Sequence, residues 1–123
     1  MFFLPSMNEK MTKADILENT AKEYYETGAE NLEKKRYNSA VVLFFKALVA
    51  LSDLFLLQQT GETPSSHTDR FKVTKEKFPE VYNLLDKDFP FYQDSYNVIM
   101  TQELAEVIKD DAREISRKTK TQL

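Results

Sequence analysis

Between Ala40 and Leu57 the chain carries only three polar side chains, Lys46, Ser52 and Asp53, and no glycine or proline. Nothing in that run interrupts a helix. At helical spacing it is apolar on two sides, with Val41, Phe44, Leu48, Leu51 and Phe55 along one and Leu43, Ala47, Ala50, Leu54 and Leu57 along the other. A surface helix has one apolar stripe, so a helix with two is the centre of a bundle or a membrane span. The run is short for a bilayer, and Lys46 and Asp53 would each cost a few kcal/mol there. The expectation is a buried central helix and no membrane. Its second face is expected to be covered by another copy of the chain, a homodimer with Leu43, Phe44, Ala47, Leu51, Leu54 and Phe55 as interface residues. Five such large side chains leaving water at about 2 kcal/mol each would gain about 10 kcal/mol before association costs.

The rest of the sequence agrees with helices. Two glycines and four prolines in 123 residues leave room for few turns and therefore long elements. A first helix is predicted from Asn8 or Thr12 to Lys35, with Leu17, Ala21, Tyr24, Gly28 and Leu32 on one face. The second begins at Tyr37 or Asn38, with Asn38 as the candidate N-cap, and stops at Gly61. Ser65 or Ser66 caps a third helix, which Pro79 ends. A short fourth segment carries Val81, Leu84, Leu85 and Phe89 before Pro90. The closing helix starts between Phe91 and Thr101, with Leu104, Ile108, Ala112 and Ile115 as its stripe. The fold class is all-α, an up-and-down bundle of four to five helices. It spans residues 12–118, behind an N-terminal arm (1–11) and ahead of a frayed tail (119–123).

The chemistry is sparse. There is no cysteine, hence no disulfide or thiolate site, which fits a cytoplasmic location. A net charge of −3 gives no footprint for DNA. His67 is the single histidine and has no nitrogen or sulfur companion for zinc. Glu103, Glu106, Asp110 and Glu114 read as a solvated face, so no metal and no cofactor are expected. Ser65 and Ser66 beside His67 lack a nucleophile elbow, and two lone glycines cannot cradle phosphates. No catalytic residue is assigned. A ligand groove between the second, third and closing helices would draw on Lys46, His67, Arg70 and Tyr96 for positive charge and stacking. The plain alternative is that Lys46 and Arg70 pair with nearby acids and Tyr96 belongs to the core. Ala29-Glu30-Asn31-Leu32, Tyr37, Ala40 and Ala47-Leu48 also suit one tetratricopeptide hairpin, but the period does not recur.

The stretch from Ala29 through Arg36-Tyr37-Asn38-Ser39-Ala40 to Lys46-Ala47-Leu48 resembles the first hairpin of HEPN domains. Gly61-Glu62-Thr63-Pro64-Ser65-Ser66-His67 resembles that family's turn into its third helix. Asp94-Ser95-Tyr96-Asn97, Glu103-Leu104-Ala105-Glu106 and Ala112-Arg113-Glu114-Ile115 resemble its final helices. The resemblance implies an up-and-down helical bundle, commonly dimeric. Members are ribonucleases of toxin–antitoxin systems, partners of small nucleotidyltransferases, or nucleotide binders. The family's nucleases carry an arginine followed after four to six residues by histidine. Here none of Arg36, Arg70, Arg113 and Arg117 has a histidine at that distance. The resemblance therefore implies a catalytically silent member, a non-enzymatic binding or interaction protein. A divergent ribonuclease is the enzymatic alternative.

Overall fold

The computed structural model describes residues 11–123, so the expected N-terminal arm falls, up to residue 10, outside the described residues. Among the described residues five helices follow one another: α1 (Lys13–Glu33), α2 (Tyr37–Thr60), α3 (His67–Lys77), α4 (Pro79–Asp94) and α5 (Gln102–Thr119). The fold is an all-α bundle, with no strand among the described residues.

Local chemistry sets most of the helix ends. Thr12 and Asp15 form a reciprocal capping box at the start of α1. Gly61 ends α2 at φ 81°, a left-handed conformation that favours glycine. The Ser66 hydroxyl accepts from the Asp69 amide, and Asp69 in turn accepts from the Ser65 amide. The Thr101 hydroxyl accepts from Leu104 to open α5. Pro79 does not merely stop α3; it is the first residue of α4, where its missing N–H costs nothing.

Three expectations about local structure are corrected. Asn38 is not a cap; the N-cap of α2 is Arg36, which makes no side-chain bond. The Asn38 carboxamide instead reaches across the fold. Its Nδ2 donates to the carbonyls of Ser95 (2.8 Å) and Val98 (2.7 Å), and its Oδ1 accepts from the Met100 amide (2.9 Å). That one side chain clips the α4–α5 connection to the start of α2. Pro90 does not end the fourth helix, which continues to Asp94. Proline there removes only the bond to the exposed Asp86, and the next turn is held by Tyr92 stacked on Phe45 at 4.8 Å. The tail beyond 118 does not fray. Thr119 and Thr121 are buried and their hydroxyls meet at 2.8 Å, Gln58 donates to the Thr119 carbonyl, and Leu123 packs on the core.

α2 is the centre of the bundle, lying between α1 and α5. By length and composition it could cross a membrane, with mean hydropathy 2.3, but 61% of that apolar window is buried inside the fold. Burial in the bundle is thus sufficient reason for its composition. α1 contributes Ala21, Tyr25 and Gly28, so Tyr25 rather than Tyr24 is the buried tyrosine of that helix. α5 contributes Ala105, Ile108, Ala112 and Ile115, with Leu104 only half-buried. Buried hydroxyls return to their own helix: Ser52 donates to Leu48 and Thr74 to Arg70.

This packing corrects the interface assigned to α2. Phe44, Ala47 and Leu51 are fully buried in the single chain and Leu54 nearly so. Phe55 is half-buried against Phe78, edge to face at 5.1 Å, and Leu43 is half-buried. The cover expected from a second copy comes from the same chain, from α1 over Phe44 and from α5. Large apolar side chains stay exposed elsewhere, at Tyr96, Val98, Ile99 (87%) and Val107.

Candidate functional site

Lys46 and Asp53 are the only charges in the apolar run of α2, and two helical turns separate them. They therefore share a face, and that face opens on a pocket of about 240 Å³. α1 lines it with Leu17 and Tyr24, α2 with Phe45, Lys46, Val49, Ala50 and Asp53, α3 with His67 and α4 with Tyr92. A larger depression runs along α1, but its lining from Met11 to Glu26 comes from one stretch of chain and is an open surface.

One wall is an ion pair. Arg70 grips Asp53 through two parallel hydrogen bonds, Nε to Oδ1 at 2.7 Å and Nη2 to Oδ2 at 2.9 Å, with both side chains largely removed from water. Such a forked pair suits the planar guanidinium. Arg70 Nη1 also lies 2.7 Å from His67 Nδ1. A guanidinium can only donate, so Nδ1 accepts and the imidazole carries its proton on Nε2. His67 is exposed overall, yet desolvation of its ring lowers its pKa, and the positive charge of Arg70 lowers it further; Asp53 opposes this. The result is an imidazole biased to its neutral form, with a fixed tautomer and an Nε2–H that has no partner among the described residues.

The remaining walls are aromatic with one cation. Tyr92 and Phe45 are stacked, their planes 21° apart, and Phe89 adjoins both rings. Lys46 Nζ lies 6.0 Å from the centroid of the Tyr24 ring, a cation–π contact. No carboxylate is within ion-pairing distance of Lys46 among the described residues.

Of the four ligand residues expected, Lys46 and His67 meet in the pocket. Arg70 stands behind it, with its charge committed to Asp53 and its third nitrogen to His67. Tyr96 is not there. It is 68% exposed at the end of α4, edge to face with Tyr92, on the side that bears Asn38, Val42 and Leu43. The groove was expected between the second, third and closing helices. α5 contributes nothing to it, while α1 and α4 do, because α5 covers the opposite side of α2. Tyr24, Asp53 and Tyr92 were not assigned to the site. The spacing of Lys46 and Asp53 was a readable sign for Asp53; the facing of Tyr92 depends on the turn beyond Pro90.

The chain matches no protein-family model, and no curated protein is similar enough to count as a relative.

Proposed function

We propose that this chain is a non-enzymatic, HEPN-like helical binding protein whose groove takes a planar, anionic ligand of the nucleotide type, alone or beside a small nucleotidyltransferase. The observation that carries the reading is Lys46: an ammonium with no carboxylate partner among the described residues, at a pocket walled by Tyr24, Phe45 and Tyr92. An unpaired cation over aromatic faces suits a flat ring that bears a phosphate. The His67 Nε2–H adds a directional donor. The pocket is small for a whole nucleotide, so the ring would lie within and the phosphate at Lys46 near the mouth. A second copy of the chain would have to meet the exposed Tyr96, Val98 and Ile99 rather than the face of α2.

Titration calorimetry with AMP, adenosine and inorganic phosphate tests this. AMP is expected to bind, adenosine more weakly, and Lys46→Met to weaken AMP by about tenfold to a hundredfold, the worth of one charge-assisted hydrogen bond. Heats no larger than dilution for AMP and for dinucleotides would refute the ligand class.

A second reading follows from two groups in that pocket, the neutral imidazole of His67 and the Lys46 ammonium. RNA cleavage through the 2′-hydroxyl needs a proton-transfer group and a cation for the charge that develops on phosphate. On this reading total RNA is cut without metal, and His67→Ala abolishes the cutting. Intact RNA after incubation with the wild-type protein removes it.

A further inference from the structure

Asp88 on α4 is fully buried, and neither of its carboxyl oxygens receives a hydrogen bond among the described residues. It faces Asp111 on α5, within hydrogen-bonding reach. Oδ2 of Asp111 likewise lacks an aligned donor, although Lys87 Nζ forms an ion pair with it at 2.9 Å. Buried polar groups are almost always satisfied, as Ser52 and Thr74 are here. Two carboxylates cannot satisfy each other, but a carboxylic acid and a carboxylate can. The missing donor is therefore a proton.

We propose that Asp88 and Asp111 form a one-proton latch between α4 and α5, closed when the Asp88 carboxyl donates to Asp111 and released when that proton leaves to water. Release loosens α4 and with it the Tyr92 wall of the groove, one turn further along the same helix; this last step rests on the groove being the ligand site. The two helices touch sparsely, and the other polar ties between them are the ion pairs Lys87–Asp111 and Glu80–Lys118, the latter at the exposed far end of α4. Among the described residues the charged groups that face Asp88 are Asp111 on α5 and Lys87 on α4, with Glu114 of α5 near Lys87.

Burial, the hydrogen bond with Asp111 and then its negative charge push the Asp88 carboxyl from 3.8 up to about 8, against the pull of Lys87. In the unfolded chain the group ionises at its ordinary value, so folding takes up one proton between about pH 4 and 8. The stability this proton confers is whole below that window, falls as pH rises through it, and has gone above it.

Asp88→Asn is the test, because a carboxamide donates to Asp111 at every pH. Urea unfolding is compared for the two proteins from pH 5 to 9. The ratio of the wild-type unfolding constant to that of Asp88→Asn is expected to climb by up to tenfold per pH unit and to level off above about 8. Hydrogen exchange of α4 amides, corrected for the chemical rate, should quicken between pH 7 and 9 in the wild type alone. Parallel pH dependences in the two proteins would overturn the latch. Should Asp88→Asn fail to fold, Asp111→Asn supplies a donor to an ionised Asp88 and should move the window to lower pH; an unmoved window also overturns it. None of these measurements uses a ligand, so they stand apart from the test of the groove. AMP affinity that falls from pH 7 to 9 in the wild type and not in Asp88→Asn supports the coupling to Tyr92; equal pH dependence of affinity in both overturns that coupling.

Discussion

Arg70→Met is expected to cost about 3 kcal/mol of stability and to lower the melting temperature by roughly 10 °C. The methionine fills much of the arginine's volume, so the loss is electrostatic. It leaves the Asp53 carboxylate, at 14% side-chain exposure, without the two hydrogen bonds that compensate its burial. Asp53 borders the pocket and can recover some water, which places the cost at the low end for a broken buried pair. Removing both partners should behave differently. Asp53→Leu with Arg70→Met is expected to recover most of the loss, because the orphaned charge, more than the lost attraction, destabilises the single variant. Chemical denaturation of the three proteins measures this, and a double variant less stable than Arg70→Met would contradict it. The same change frees His67 Nδ1 and removes the nearest cation, so the imidazole should titrate at higher pH than in the wild type. With one histidine in the sequence, its proton NMR signals can be followed without ambiguity.

Gly28→Val is the second large effect, again about 3 kcal/mol, and its origin is steric. A Cβ on residue 28 would lie 2.8 Å from Cε1 of Phe44 and 2.9 Å from Cδ1. That ring is fully buried and stands against Tyr25, with 5.5 Å between centroids, so it has little room to turn away. The gain in helix propensity from leaving glycine, under about 1 kcal/mol, cannot offset the collision. Gly28→Ala should show a smaller loss. Combined with Phe44→Leu, which retracts the ring, it should lose less than the two single changes predict. Thermal unfolding checks the order, and a Gly28→Ala protein as stable as the wild type would show that α1 and α2 have slack at this crossing.

The contrast between what the sequence disclosed and what it hid follows the range of the interactions. Gly61 and Ser66 act within four residues of themselves, so their capping roles could be read directly. The apolar run of α2 announced that both its flanks are covered, but composition carries no label for whose side chains cover them. Ala21, Tyr25 and Gly28 of α1 and Ala105, Ile108, Ala112 and Ile115 of α5 do so from within the chain, and the dimer face assigned to Phe44, Ala47, Leu51 and Leu54 is instead core. Asn38 looked like a cap because its chemistry suits one; its actual partners lie about 60 residues away. Pro90 looked like a stop because the stacking that carries α4 past it is tertiary. Lys46 and His67, chosen for charge and stacking, do come together at one pocket. Tyr92 and Tyr96 were interchangeable on paper, four residues apart, and only the packing of Tyr92 on Phe45 decides between them.

The carboxamide of Asn38 also cannot be exchanged for the near-isosteric carboxylate. Its nitrogen faces two carbonyl oxygens and its oxygen faces an amide, so neither half can be exchanged for the other. Conversion of that one side chain to a carboxylate would set negative charge against the backbone oxygens of Ser95 and Val98. Such a chain would lose its hold on the α4–α5 connection, and with it the placement of Tyr96, Val98 and Ile99, through a change of a single mass unit.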